Sequence, residues 1–337
     1  MIVRIFPLRR PSGIPRRFNP VALGLANLSP FSPRRQTPSR GMESTAAGKT
    51  AFQYIPLEDV EKLERYCPGG FHPVTIGDNL HGRDQTVGRY VAVKIVVAAG
   101  DSLEGDILHQ LGGADLGNET HPGKDLIPPI LDEFILKEPN GEHRCLVTAP
   151  ARMSIATAKD ASYITLFQLP VAGAIAAQLI QAVDFLHSRG IVHADLHPGN
   201  ILLRLPKDMD NLSFDQFYEK YRQPNLEPVV RLDNQPLPRG VPTHGIIILL
   251  TDFGESFLPS TTLRHYSRTP ELLIPPEIHF LPQELLSFSA DIWTLAGTIW
   301  AIIGQRPLFE GFGSSADLVT KEHVDVLGKL PPEWWVK

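Results

Sequence analysis

"IVHADLHPGN", residues 191–200, sets His193 two positions before Asp195 and Asn200 five positions after it. With Pro198 and Gly199 inside it, the stretch reads as a loop. Before it, in "FQLPVAGAIAAQLIQAVDFLHSRG" (167–190), Leu169, Ala172, Ile175, Leu179, Val183 and Leu186 fall on one helical stripe, and Gly190 stands where a helix takes its C′ glycine. After it, "NILLRL" is a short apolar run. A carboxylate and an amide oxygen are thus presented together on a loop between two buried elements.

Working outward, "YVAVKIVVA" (90–98) is β-branched and apolar and predicts a strand carrying Lys94. "DSLEGDILHQL" (101–111) has apolar residues at 103, 107, 108 and 111, which predicts a helix carrying Glu104. A Gly- and Pro-rich connector leads to strands at "ILDEFILKE" (130–138) and "HRCLVTA" (143–149), joined by the turn "PNGE". Past the opening loop lies a long polar insertion, about 206–245, in which "SFDQFYEKY" begins with the capping pair Ser213 and Gln216 and predicts a surface helix. "GIIILLTDFG" (245–254) is a buried-type strand ending at Asp252, and "SADIWTLAGTIWAIIG" (289–304) is a mostly apolar helix. A β-rich part followed by an α-rich part predicts an α+β, bilobal architecture with a cleft between the lobes: residues 46–149 as the small lobe and 150–337 as the large one.

The chain has 337 residues and a formal net charge of −5, so no global basic field argues for nucleic acid. Two cysteines, Cys67 and Cys145, are too few for a disulfide framework and suit a reducing intracellular compartment. The longest strongly apolar helical stretch is read as "LAGTIWAIIG" (295–304), far short of the ~20 residues a bilayer needs, so no membrane partner is expected. Residues 1–42 hold eight Arg and no Asp, Glu or Lys. Residues 1–45 are therefore read as a disordered basic tail or a mitochondrial transit peptide.

Lys94, Glu104, Asp195, Asn200 and Asp252 have ordinary readings one by one: a solvated lysine, polar helix surface, a turn. Taken together, in this order and on these elements, they form the set that phosphoryl transfer needs. Lys94 supplies a cation for phosphates and Glu104 an ion-pair partner that holds it. Asp252 and Asn200 offer oxygen ligands to Mg2+. Asp195 can accept a hydroxyl proton. Ala92 and Leu202 are placed to sandwich an adenine, and the segment 148–151, with Thr148, Ala149 and Ala151, to present backbone groups to its edge. ATP and Mg2+ are the expected cofactors.

The motifs "VAVK", "HADLHPGN", "DFG" and "PPE" (275–277) resemble the eukaryotic protein kinase fold. More narrowly, "PLEDVEKLERYCPGGFHPV", "HPGKDLIPPILDEF", "DIWTLAGTIWAIIGQRPLF" and "LPPEWW" resemble fungal members of the SR-protein kinase family. The resemblance implies a serine/threonine kinase acting on Arg/Ser-rich proteins such as splicing factors, as a monomer, in cytoplasm and nucleus. It also implies that Asp291 anchors the loop backbone.

Three departures stand out. No Gly-rich phosphate-covering motif lies between Arg83 and Lys94; the chain stops at Lys337 without the later large-lobe helices; and the stretch before residue 245 is short. With all five chemical residues intact, omitted coding segments explain these gaps better than decay. The stop at Lys337 leads us to expect Trp300, Leu308 and Phe309 to be exposed. Ala194 stands where kinases carry Arg, which implies activity not gated by activation-loop phosphorylation; His197 stands where they carry Lys. Two other readings compete. One is a small-molecule phosphotransferase, argued against by "PPE" and "DIWTLAGTIW". The other is a non-catalytic scaffold with an acidic docking surface at Glu119, Asp317, Glu322 and Asp325.

Overall fold

The computed structural model describes residues 2–7 (backbone alone), 62–74, 80, 90–100, 102–113, 121–137, 139–204, 212, 216, 219, 252–310 and 315–335. Four strands, β1 (Ile2–Pro7), β2 (Tyr90–Ile95), β3 (Ile130–Lys137) and β4 (Glu142–Thr148), form an antiparallel sheet in the order β1-β2-β4-β3. The alternation of β2 explains its burial. Val91, Val93 and Ile95 pack on one face with Leu63, Tyr66, Phe71, Val74 and Val147, while Ala92 and Lys94 belong to the other. Helix α1 (Glu104–Gly112) buries Ile107, Leu108 and Leu111 in a second cluster with Leu146, Phe185, Leu186, Ile191 and Phe253. That cluster joins the sheet to the helical part of the chain.

β4 leads through 149–150 into β5 (Ala151–Ser154), which pairs with β6 (Leu202–Arg204) as a two-stranded ribbon. Helix α2 (Ile155–Asp160) is capped by Ser154, and α3 (Leu169–Ser188) is the long helix expected from its stripe. Gly190 has φ +73°, the left-handed conformation a C′ residue needs. Ala172, Leu179, Val183 and Leu186 of the stripe are buried, but Leu169 is 72% exposed because it precedes the packed face. At 20 residues, α3 is long and apolar enough to cross a bilayer, which corrects the reading of 295–304 as the longest apolar helical stretch. Here its apolar side instead packs against Leu295 and Ile302.

The remaining α-helices with described bounds are α4 (Glu277–Phe280), α5 (Phe288–Ile303) and α6 (Ala316–Leu327, capped by Ser315). Trp300 is half exposed, as expected. Phe309 is not: it stacks on Trp293 with centroids 5.9 Å apart and meets the His323 ring edge-on at 4.6 Å. Its burial overturns the expectation of exposure because α6 folds back over it. The strand at 245–250, the surface helix at 213–221 apart from Gln216 and Glu219, and the junction at Arg83 lie outside the described residues. Inside the segment read as a tail, β1 runs antiparallel to β2, with Val3 opposite Lys94 and Ile5 opposite Ala92, a pairing the sequence reading did not foresee.

Candidate active site

β2 delivers Lys94 beside Leu146 of β4, and the first turn of α1 delivers Glu104. The Lys94 Nζ donates to Glu104 Oε1 and, at 2.9 Å, to Asp252 Oδ1. Lys94 and Glu104 side chains are almost fully buried, while Asp252 is partly open to the cleft. Burial raises the Glu104 pKa above the ordinary carboxylate value, and Lys94 offsets this only in part. Burial also acts upward on Asp252, but the Lys94 ammonium and the Gly254 N–H outweigh it, so this carboxyl titrates below its usual value. The Phe253 N–H donates to the same Glu104 oxygen at 3.3 Å, tying the Asp-Phe-Gly turn to α1.

The loop 191–200 is held by an almost complete hydrogen-bond inventory. Asp291, wholly buried on α5, accepts the His193 N–H at 2.7 Å and the Ala194 N–H at 2.8 Å, and its Oδ2 lies 3.1 Å from His187 Nε2. Three hydroxyls take the loop's carbonyls: Ser256 that of His193, Thr269 that of Ala194 and Thr298 that of Leu196. His193 Nδ1 accepts the Asp195 N–H at 3.2 Å, and its ring packs edge-on against Phe253. Burial depresses the His193 pKa, against the pull of Asp291. These fixed groups pre-set Asp195, whose Oδ2 receives the Asn200 amide at 3.0 Å. Asp195 Oδ1 is buried with no hydrogen-bond partner among the described residues. His197 turns its Nδ1 to the Gly199 N–H, and its Nε2 lies 3.7 Å from Asp195 Oδ2.

The residues assigned to the nucleotide fall on the sheet, on the link that follows β4 and on the ribbon. Ala92 is directly opposite Thr148 in the sheet, Ala149 and Ala151 continue from Thr148 into the ribbon, and Leu202 pairs with Ser154 there. The structure therefore brings Lys94, Glu104 and Asp252 into direct contact, and Asp195 to Asn200. It places Ala92 and Thr148 in the four-stranded sheet, Ala149 in the link that leaves it, and Ala151 and Leu202 on the two strands of the ribbon. The oxygen donors suit a hard cation: Asp252 and Asn200 present a carboxylate and an amide oxygen. Of the supporting residues, Ser256, Thr269, Thr298 and His187 were not found by sequence reasoning. They act from 63 to 104 positions away, and a lone hydroxyl has no local signal.

The segment after Asp252 carries its own clasp. Arg264 donates to the Glu255 carboxylate and carbonyl, and Arg268 Nη1 lies 3.2 Å from the same carboxylate. The Arg264 guanidinium sits over the Phe257 ring at 5.4 Å and the Tyr266 ring at 4.8 Å.

Residues 77–329 match the family described as protein kinase domain. A serine/threonine protein kinase of Aspergillus fumigatus is 26% identical over 318 residues, covering 82% of this chain and 72% of that protein. Protein kinase dsk1 of Schizosaccharomyces pombe is 30% identical over 184 residues, and human SRSF protein kinase 3 is 29% identical over 168. These two alignments take in 48% and 43% of this chain and span only 34% and 30% of the two relatives.

Proposed function

The chain belongs to the protein kinase family, as a serine/threonine kinase whose relatives include SR-protein kinases, and from that premise we propose that it phosphorylates Ser in Arg/Ser-rich proteins with ATP as donor. The observation that carries the reading is the convergence of Lys94, Glu104 and Asp252 on the cleft into which the Asp195–Asn200 loop is fixed. Lys94, oriented by Glu104, meets the phosphates of the donor. Asp195, held by the loop and with one oxygen unpartnered among the described residues, accepts the proton of the attacking hydroxyl. Asn200 and Asp252 would hold a divalent cation, Mg2+ in our reading, which neutralises phosphate charge when bound.

Support for an Arg-rich substrate comes from the named relatives and from acids on α6, where Asp317 and Asp325 are exposed. Incubating the full chain with Mg2+, labelled ATP and an Arg/Ser-repeat peptide is expected to label Ser, and a Lys/Ser-repeat peptide to be poorer. Asp195→Asn is expected to remove transfer. Nucleotide binding with no transfer by the unaltered chain overturns the kinase reading in favour of a scaffold.

A further inference from the structure

Helix α1 must hold one rotation about its axis for Glu104 to reach Lys94. Its buried residues Ile107, Leu108 and Leu111 give apolar contact, which favours burial but is non-directional. Besides the Phe253 N–H at Glu104 and the Gln110 amide at the Arg189 carbonyl, each at 3.3 Å, directional contacts come from β3 and β4. Arg144 on β4 stands opposite Ile135, and Glu133, two residues along β3, shares that face. Arg144 Nε and Nη2 grip Glu133 at 2.5 and 3.2 Å, a side-on pair that fixes the plane of the guanidinium. The same Nη2 donates to Asp106 Oδ1 at 2.8 Å in the first turn of α1. One turn on, His109 Nε2 lies 2.9 Å from Glu133 Oε2.

Next to Asp106, on the side of Glu104, lies Gly105. A Cβ there would sit 2.5 Å from the guanidinium carbon, so Arg144 rests directly on the helix backbone beside Glu104. We propose that Arg144 is a positioning residue: it clasps α1 to the sheet through Asp106, Gly105 and Glu133 and so sets Glu104 against Lys94. The inference rests on the reading of the Lys94–Glu104 pair given above. Asp106 and His109 are 66% and 56% exposed, so solvent screens these pairs and their effect is orientation more than stability.

The test compares the full chain with R144M, D106N, G105A and the R144M/G105A double variant, with E104Q as reference. Amide exchange of residues 104–112, followed by mass spectrometry without nucleotide, is expected to speed up about tenfold in R144M and G105A. The double variant should be no faster than either single one, since both break one contact. Loosening by G105A is diagnostic, because Gly-to-Ala inside a helix ordinarily firms it. The melting temperature is expected to move by only a few degrees, while kcat/KM for ATP falls about tenfold. R144K, which keeps the charge without the side-on fork, should fall between. Unchanged α1 exchange in both R144M and D106N overturns the proposal, as does normal transfer by R144M when E104Q is inactive. Normal transfer by E104Q sinks the reading of the ion pair instead.

Discussion

Asp291 Oδ1 accepts the Ala194 N–H at 2.8 Å, and Ala194 holds φ +64°, a left-handed conformation that alanine seldom adopts. The strained turn directs the carbonyl of Ala194 to Thr269 while its N–H, with that of His193, points at one carboxylate. Asn at 291 keeps one acceptor but sets an NH2 against the other backbone N–H. With Asp291 wholly buried, that mismatch costs about 2–3 kcal/mol. Asp291→Asn is expected to lower stability by that amount in urea unfolding and to reduce transfer more than tenfold.

The activation segment is held by residues of its own. Glu255 accepts from Arg264 and pairs with Arg268, and Arg264 packs over Phe257 and Tyr266. Ala194 offers no cation to a phosphate, so a clasp of this kind would take over the ordering that a phosphorylated residue induces elsewhere. Phosphatase treatment is therefore expected to leave transfer unchanged, whereas Arg264→Ala should lower it about tenfold and open residues 255–268 to limited proteolysis. A phosphatase-sensitive rate would show that the clasp is insufficient.

The elements most legible in the sequence are those whose signal is local. The stripe from Ala172 to Leu186 and Gly190 together define α3, and the β-branched apolar run around Lys94 defines β2. Lys94, Glu104 and Asp252 were found because their chemistry and order are specific, and their contacts follow. What was hidden depends on distant partners. Arg144 reads as an ordinary strand residue until Asp106 and Glu133 are seen to share its guanidinium. Phe309 looks exposed until α6 turns back over it, and β1 pairs with β2, more than 80 residues along the chain. Leu169 fits the helical stripe by spacing yet lies outside the packed turns.

Removing Lys94 leaves Glu104 and Asp252 without their shared cation. Breaking a buried pair in this way costs about 3–5 kcal/mol when both carboxyls are ionised. The Glu104 pKa is already raised by burial, and loss of Lys94 raises it further. A group whose folded pKa lies above its unfolded value keeps its stability below the unfolded value and loses it as pH rises through the folded one. Lys94→Met is therefore expected to lose more stability at pH 8 than at pH 5, read from melting curves against the unaltered chain. An equal deficit at both pH values would mean that loss of Lys94 does not shift the titration of Glu104 across this range.

His323 offers the opposite case, a polar group whose replacement should stabilise. Its ring is 2% exposed, lies edge-on to Trp293 and Phe309, and has neither nitrogen hydrogen-bonded among the described residues. Burial, reinforced by the nearby His279, lowers its pKa below the ordinary histidine value. A depressed folded pKa means that its stability is present above the unfolded value, near 6.5, and is lost as pH falls through the folded one. Leucine has a similar volume and no polar atom to satisfy, so His323→Leu removes a desolvation penalty of about 1–3 kcal/mol less the two ring contacts, worth ~0.5–1.5 kcal/mol each. The net gain is expected to be small at pH 7.5, a degree or two in melting temperature, and clearly larger at pH 5.5, where the native histidine must resist protonation. A variant that melts lower at both pH values would show that the edge-on packing of the imidazole outweighs its unpaired nitrogens.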